Sequence, residues 1–201
     1  MSRDDTNDAT LASLSDEALL TLYATGDPEA ARLLTRRLAP RAYSHAMRML
    51  ADRAEAEDVA QEALLRLWRI APDWRTGTAR VTTWLFRVVA NLATDRLRAR
   101  RRRRAAPLDD APEPVSDQPP VVQEMIEADR MAALQMALAA LPDRQRQAVV
   151  LRHIEGLANP EIAAIMEIGV EAVESLTARG KRALAALLAG RREELGYEDA
   201  N

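Results

Sequence analysis

The chain has 201 residues, of which 29% are charged and 48% hydrophobic, a balance typical of soluble globular proteins. It has no cysteine, which excludes disulfides, thiolate metal sites and a thiol nucleophile. The N-terminus lacks a basic segment followed by an apolar run, and no stretch of about 18 apolar residues occurs. We therefore expect a cytoplasmic protein without membrane insertion. With only 3% aromatic residues and seven glycines beside abundant Leu, Ala, Glu and Arg, the composition favours an all-α fold.

The charge and the proline content change along the chain and divide it into segments. The first 104 residues carry 19 arginines against 14 acidic residues, whereas the next 19 residues carry four acidic residues and no base. That second stretch also holds five of the ten prolines, which favours a flexible, extended connection. We predict a disordered extension over 1–14, two helical domains over 15–104 and 124–190, a linker over 105–123 and a C-terminal tail over 191–201.

The sequence "AEAEDVAQEALLRLWRI" predicts a helix with two contrasting faces. Its apolar face carries Val59, Ala63, Leu67 and Ile70. Leu65 falls among charged residues on the other face, which is typical of a surface that docks another protein. The residues of this second face are Asp58, Gln61, Glu62, Leu65 and Arg69.

The next segment combines a loop with a long helix, predicted over 81–103. The loop mixes an aromatic residue, small polar groups and bases, which suits stacking and hydrogen bonding to an unstacked nucleotide base. Trp84, which precedes Leu85 and Phe86, is better explained as a core residue. The candidates for contact with a base or its backbone are Trp74, Arg75, Thr76, Arg80, Asn91 and Arg98.

Seven arginines lie within nine residues at the end of this helix. The planar guanidinium group binds phosphate through two parallel hydrogen bonds, and this run extends an ordered helix. A run of like charges can also be simply solvated, and arginine is the dominant base of the whole chain, so both interpretations stay open. The candidate phosphate ligands are Arg100, Arg101, Arg102 and Arg103.

The last third predicts three short helices that end in a helix-turn-helix. The first helix is expected over 142–155 with Pro142 at its first position, and Gly156 is expected to end it in the left-handed region. Asn159 is expected to cap the second helix, with Pro160 at its first position, and Gly169 to supply the next turn.

The third helix of this unit, from Val170, divides into two faces. Its apolar stripe is predicted to hold Val173, Leu176, Leu184 and Leu187. The opposite face has the chemistry to read base edges in a major groove, although an ordinary amphipathic surface helix has the same pattern. The candidate readers are Glu171, Ala172, Ser175, Arg179 and Arg182.

Nothing in the sequence favours catalysis or a cofactor. No phosphate-binding "GxxxxGK" loop, no "HExxH" motif and no serine nucleophile motif occurs. His45 and His153 are better explained as helix residues half within the core than as metal ligands. We expect a protein that binds partners and is not an enzyme.

Two motif sets in this order resemble the extracytoplasmic-function sigma factors, the group-four specificity subunits of bacterial RNA polymerase within the sigma-70 family. The first set is "GDPEAARLLTRRLAPRAYSHAMRMLADRAEAEDVAQEALLRLWR" with "TTWLFRVVANLATDRLRARRRR", and the second is "LPDRQRQAVVLRHIEGLANPEIAAIMEIGVEAVESL". A variable linker joins them. The resemblance covers residues 15–190.

The resemblance implies a mechanism of promoter recognition. The face with Asp58, Gln61 and Glu62 is expected to dock on the clamp of the largest polymerase subunit, and the flap of the second-largest subunit is a further expected contact. The 74–80 loop with Asn91 is expected to capture a base of the minus-ten element, and the helix from Val170 to read the minus-thirty-five element. An anti-sigma factor is an expected regulator, and the polymerase-bound form is expected to be monomeric.

The sequence also departs from the family pattern. Members often carry glycine near Glu167, a Gly-Thr pair where Glu171 and Ala172 stand, and lysine at the position of Glu174. Residues 124–201 carry 13 acidic against nine basic groups, so we expect weak DNA binding by the isolated second domain. Two other interpretations remain: a decoy that sequesters an anti-sigma protein, and a stand-alone helix-turn-helix regulator.

Overall fold

The computed structural model describes residues 11–75, 77, 79–105 and 122–189, and all regular structure within them is helical. The all-α prediction is confirmed. Most of the predicted N-terminal extension, linker and tail, together with Thr76, lies outside the described residues. None of the described helices is long and apolar enough to cross a membrane.

Helices account for the regular structure in both halves of the described chain. In the first half, α1 (Asp16–Ala24), α2 (Pro28–Leu50) and α3 (Arg53–Ile70) are followed by a 3-10 turn (Ala71–Asp73) and by α4 (Val81–Ala105). In the second half come α5 (Val122–Ala140), α6 (Asp143–Val149) with a π-helical turn (Val150–Ile154), α7 (Asn159–Met166) and α8 (Val170–Ala189).

The described residues form two compact units. The first unit contains those up to Ala46 together with residues 54–93, and the second contains residues 47–53 together with those from Thr94 onward. The unit boundaries therefore fall inside α2, after the first residue of α3 and inside α4, and the first residues of α5 lie within the predicted linker.

Local capping explains where the first helices begin. The Ser15 side chain accepts a hydrogen bond from the Ala18 N–H at 3.2 Å, which caps α1. Asp27 does the same for α2, accepting from the N–H groups of Glu29 and Ala30 at 2.9 and 3.1 Å.

The core of the first unit is built from leucine, alanine and one aromatic ring. Phe86 of α4 is fully buried, and His45 of α2 is buried beside it with ring centroids 5.3 Å apart. The expectation that His45 lies only half in the core is wrong, since its exposure is 0%. The fully buried leucines of this unit are Leu19, Leu20, Leu34, Leu38, Leu67 and Leu85.

The second unit packs α5, α6 and α8 around a small apolar cluster. Leu138, Leu141, Val149 and Val150 form its centre, and half-buried apolar side chains complete it. Gly180 of α8 is buried against α6, where an added Cβ would lie 2.6 Å from Val149 Cγ2. The absence of a side chain at this position therefore allows the two helices to approach closely.

The predicted helix-turn-helix is present, but two of its helices begin at residues other than those predicted. Pro142 is the N-cap of α6 and not its first helical residue, and Ala158, not Asn159, is the N-cap of α7. The Ala158 N–H donates to the Glu161 carboxylate at 3.0 Å, so the acidic side chain satisfies the helix start that alanine cannot cap. Gly156 does end the first helix in the left-handed region, with φ at 73°.

The turn between α7 and α8 differs from the prediction. Glu167, not Gly169, takes the left-handed conformation, with φ at 54° and ψ at 51°. Gly169 has no positive φ, and its carbonyl accepts from the Val173 N–H at 3.2 Å as α8 begins. Position 167 is therefore the one in this turn at which glycine would be free of backbone strain.

The apolar stripe of α8 is shorter than predicted. Val173 is fully buried, and Leu176 and Leu184 are half-buried, but Leu187 is 44% exposed. Periodicity alone places Leu187 in the core. The apolar cluster of the second unit includes Ala183 and Leu184 of α8 but not Leu187.

Candidate nucleic-acid interface

The structure gathers the predicted docking residues on one outward face of α3, which we call the docking face: Asp58, Gln61, Glu62, Leu65 and Arg69. Leu65 is 42% exposed, although it is large and apolar. The opposite side of α3 is buried through Ala56, Val59, Ala63 and Leu67. The helix is therefore anchored by one side and leaves a mixed apolar and charged surface on the other.

One carboxylate of the docking face, that of Glu62, is held in place within the helix. Arg66 Nε donates to Glu62 Oε1 at 2.8 Å, one turn away. This hydrogen bond lowers the pKa of Glu62, with smaller contributions from the charges of Arg66 and Arg69. Glu62 therefore presents a negative charge at neutral pH.

The predicted base-capture loop, residues 74–80, begins with a tryptophan that contacts a second one. The ring of Trp74 meets that of Trp84 edge to face, with centroids 6.3 Å apart. Both residues are half-buried, so the prediction that Trp84 is a core residue holds only in part. The Trp74 indole N–H is buried and has no hydrogen-bond partner among the residues that the structure describes.

The basic residues of the loop and the polar residues of α4 are open to solvent. Arg75 and Arg80 are exposed, and Gly77 turns the loop with φ at 92°. On α4, Asn91 and Arg98 are exposed, and Arg98 lies 3.6 Å from the carboxylate of Asp95. These side chains are accessible to solvent, and their contact with a nucleic acid stays a prediction.

The four candidate arginines of the run differ in exposure and in their partners. Arg101, Arg102 and Arg103 are exposed, whereas Arg100 is half-buried and donates to the Leu50 carbonyl at 3.0 Å. Arg100 also pairs with Asp52 at 2.9 Å. The first of the four candidate phosphate ligands therefore supports the second unit itself.

Arg101 has an acidic partner within the second unit. Its guanidinium lies 2.8 Å from the Asp143 carboxylate at the start of α6. Sequence reasoning missed this pair, because nothing local relates residues 42 positions apart. Within the run, Arg102 and Arg103 are thus the clearest remaining candidates for phosphate contact.

The candidate readers of α8 all lie exposed on one face: Glu171, Ala172, Ser175, Arg179 and Arg182. Arg179 Nε donates to the Ser175 carbonyl at 3.2 Å, so its side chain lies along the helix. Asn159 at the start of α7 donates to Glu174 at 3.4 Å, which links the two helices of the turn. The geometry is that of a helix-turn-helix with its second helix free for a groove.

The described residues hold no cluster of histidine and acidic side chains suited to a metal ion. His153, on the π-helical turn, is exposed, so the expectation that it lies half within the core is wrong. Its pKa is lowered by partial burial and by the charges of Lys181 and Arg152.

Two family models match the chain. Sigma-70 region 2 matches residues 34–103, and Sigma-70, region 4 matches residues 131–184. The chain is 36% identical over 170 residues to ECF RNA polymerase sigma factor SigE of Mycolicibacterium smegmatis, covering 83% of this chain and 65% of SigE. It is 35% identical over 176 residues to ECF RNA polymerase sigma factor SigM of Mycobacterium tuberculosis, covering 87% of this chain and 85% of SigM.

Solved structures agree with these matches. CnrH, in complex with the cytosolic domain of CnrY, superposes with a TM-score of 0.62 at 26% identity, covering 87% of this chain and 97% of CnrH. RpoE of Bartonella quintana, in complex with the anti-sigma factor NepR, shares the fold with a TM-score of 0.59 at 22% identity, covering 77% and 94%. The chain belongs to the extracytoplasmic-function (ECF) RNA polymerase sigma factors.

Proposed function

We propose that this chain binds core RNA polymerase through the docking face, opens promoter DNA with the 74–80 loop and α4, and reads the minus-thirty-five element with α8. It acts in the cytoplasm as one copy per polymerase and catalyses no chemical step itself. The flap of the second-largest subunit is a further contact of the chain. Opening uses binding energy: unstacking a base costs a few kcal/mol, which the loop and phosphate contacts offset.

The observation that carries this proposal is the docking face. A helix buried along one side exposes Leu65 among Asp58, Gln61 and Arg69. Exposed leucine costs solvation free energy unless a partner covers it, and the surrounding charges favour one orientation of that partner.

Arginine substitutions on the docking face test polymerase binding. Gln61→Arg and Leu65→Arg are expected to abolish core binding and to leave helicity unchanged, since both positions are exposed. Ala24→Arg, at an exposed position of α1, adds the same charge elsewhere and is expected to bind core normally. Normal binding by both docking-face variants would remove this face from the interface.

In vitro transcription tests the function as a whole. Purified chain is added to sigma-free core polymerase with a library of promoter fragments, and the transcript starts are sequenced. Starts downstream of a shared two-element sequence are expected. Core binding without initiation would favour the decoy, and absence of core binding would favour a stand-alone DNA-binding protein.

Alanine substitutions on α8 test base reading. If Ser175 and Arg179 contact base edges, Ser175→Ala and Arg179→Ala relax promoter choice at separate positions, at about 1–3 kcal/mol each. The same promoter library measures this choice for each variant. An equal effect on every sequence would assign both residues to phosphate contacts instead.

We also propose control by an anti-sigma factor. CnrH, which resembles this chain, was solved with the cytosolic domain of CnrY. A protein that copurifies with this chain from its own cell is expected to inhibit the transcription reaction, and excess chain to relieve the inhibition. Inhibition that excess chain leaves unchanged would place the inhibitor elsewhere on the polymerase.

A further inference from the structure

Helix α1 contacts the chain on both sides of the 74–80 loop. It packs against the 3-10 turn of Ala71–Asp73, which leads into the loop. Tyr23 of α1 also lies against Trp68 in the last turns of α3, with ring centroids 4.7 Å apart and planes inclined at 57°. The entry to the loop is therefore attached to α1.

The exit from the loop is attached to the same helix. Glu17 Oε1 of α1 accepts a hydrogen bond from the Val81 N–H at 3.0 Å, across 64 residues of sequence. Val81 is the first residue of α4, so its N–H is one of the four that have no partner within the helix. The Glu17 carboxylate thus caps α4 from another helix.

The electrostatic setting favours the ionised form of Glu17. Partial burial acts to raise its pKa, but hydrogen bonds from Val81, from its own backbone and from Ser15, with the charge of Arg80, together lower the pKa below 4.5. A negative charge at the start of α4 also meets the positive end of the helix dipole.

We infer that Glu17 is a positioning residue for promoter opening, which holds the start of α4 so that the 74–80 loop has a fixed span when it captures a base. This inference depends on the proposed role of the loop. A loop whose two ends are fixed loses less conformational freedom on binding than one with a mobile end. Glu17 lies outside residues 34–103, the part of the chain that matches the region 2 family model.

Variants of the full chain in the polymerase holoenzyme test this role. Glu17→Ala removes the acceptor, and we expect about 10-fold weaker binding of a single-stranded oligonucleotide that carries the minus-ten sequence found in the transcription experiment. The fraction of duplex promoter opened, measured by 2-aminopurine fluorescence, is expected to fall, with core affinity unchanged. Glu17→Gln, whose amide oxygen still accepts a hydrogen bond, is expected to recover part of both effects.

Glu29→Ala is the matched control. It removes a carboxylate of α2 that pairs with Arg32 one turn away, so binding of the oligonucleotide is expected to equal that of the wild type. If Glu17→Ala binds and opens DNA like the wild type, or if it weakens core affinity to the same extent, the inference is overturned. If Glu17→Ala fails to fold, Glu17→Gln decides, since removal of the charge at the helix start is then expected to reduce opening by itself.

Failure of the proposed function would give a different result from failure of the proposed role of Glu17. Wild-type holoenzyme would then bind no minus-ten oligonucleotide and open no promoter. A wild type that opens promoters beside a Glu17→Ala variant that does so equally well would overturn only the role of Glu17.

Discussion

Glu167 has a backbone conformation that residues other than glycine adopt only with strain. Its φ of 54° lies in the left-handed region at the end of α7, where helices commonly place glycine. A residue with a Cβ is strained there by roughly 1–2 kcal/mol. The sequence carries glutamate at the turn that orients α8, so the turn holds conformational strain.

Glu167→Gly is therefore expected to raise the free energy of unfolding by about 1 kcal/mol, the strain relief being reduced by the greater freedom of glycine in the unfolded chain. Urea unfolding followed by circular dichroism measures the change. Glu171→Gly, in the first turn of α8, is the control and is expected to lower the free energy of unfolding by about 1 kcal/mol. Lower stability of Glu167→Gly would show that the interactions of the glutamate side chain outweigh the strain.

His153 is expected to make stability depend on pH. Its folded pKa lies below 6.5, because neighbouring atoms partly desolvate the otherwise exposed ring and because Lys181 and Arg152 carry positive charge nearby. Between that lowered value and 6.5 the unfolded chain binds a proton that the folded chain does not, so the free energy of unfolding falls as pH falls. Above this window the histidine is neutral in both states and contributes nothing.

We expect His153→Gln to gain stability relative to the wild type as pH drops below about 6.5, the ordinary histidine value. Urea unfolding of both proteins at several pH values between about 5 and 7.5 measures the difference. If the two free energies of unfolding differ by the same amount at every pH, His153 does not titrate differently in the folded and unfolded chains, and the prediction is wrong.

At the scale of helices, the last carbonyls of α2 are bound by side chains from other helices of the second unit. Gln135 of α5 donates to the Met47 carbonyl at 2.8 Å, Arg146 of α6 to the Met49 carbonyl, and Arg100 of α4 to the Leu50 carbonyl. These carbonyls belong to the last turn of the helix, where most intrahelical partners end, although that of Met47 also accepts from the Ala51 N–H at 2.9 Å. The end of α2 is thus held within the second unit by polar contacts.

Arg146 binds one of these α2 carbonyls and two further carbonyls outside α2. It is 6% exposed and also donates to the carbonyls of Ala139 and Leu141 at 3.0 and 3.2 Å, while Asp143 lies 3.4 Å away. Burial lowers the pKa of Arg146, but a guanidinium stays charged in proteins. Its hydrogen bonds therefore compensate for burying a full positive charge.

Arg146→Ala is expected to destabilise the protein by at least about 2 kcal/mol, since it leaves buried carbonyl groups without a donor. Thermal unfolding followed by circular dichroism measures the effect. Arg144→Ala, two residues away on the exposed side of α6, removes the same charge and is expected to change stability by less than about 0.5 kcal/mol. Equal effects would indicate that net charge, not hydrogen bonding, is responsible.

The close approach of α8 to α6 predicts an effect on stability that is opposite to the one expected from helix propensity. Alanine normally stabilises a helix by about 1 kcal/mol over glycine, but a Cβ at Gly180 would lie 2.6 Å from Val149 Cγ2 and 3.1 Å from the Gln145 carbonyl. Gly180→Ala is therefore expected to destabilise by about 1–3 kcal/mol.

A double-mutant cycle with Val149→Ala checks the cause of this destabilisation. Removing the valine methyl groups relieves the closest approach, so the two substitutions are expected to be non-additive, with the double variant more stable than the sum predicts. The close approach to the Gln145 carbonyl remains, so recovery is incomplete. Additive effects would place the strain of Gly180→Ala elsewhere.

These elements show which parts of the structure can be predicted from the sequence. Helix boundaries are predictable to within a few residues, since caps, prolines and glycines act locally, as Gly156 illustrates. The outward face of α3 is predictable from periodicity, because the helical repeat is also a local feature of the sequence. The interactions of Glu17, Arg100 and Arg146 could not be predicted, because their partners lie 64, 50 and 97 residues away and carry no sequence signal beyond a backbone N–H or carbonyl.

At the scale of the whole molecule, the charge distribution matters more than the net charge of −3. The arginines of α4 form the most concentrated positive charge in the sequence, but Arg100 and Arg101 already have the carboxylate partners Asp52 and Asp143. The exposed Arg102 and Arg103 are then expected to make most of the phosphate interactions of the run.

The salt dependence of promoter binding tests this division. Each phosphate that the protein neutralises releases condensed counterions and contributes about 0.9 to the slope of log Kobs against log salt on duplex DNA. For holoenzyme carrying Arg102→Ser with Arg103→Ser, we expect the slope to become shallower by about 2, with weaker binding on all promoter sequences alike. Filter binding at several salt concentrations measures the slope.

Arg32→Ser supplies the control, because Arg32 lies on α2 and pairs with Glu29. This substitution changes the net charge without removing a residue of the run, and the slope is expected to stay unchanged. If the double variant has the wild-type slope, the arginine run is simply solvated. If the weakening instead depends on promoter sequence, these arginines bind bases or a deformed groove, and the phosphate assignment is wrong.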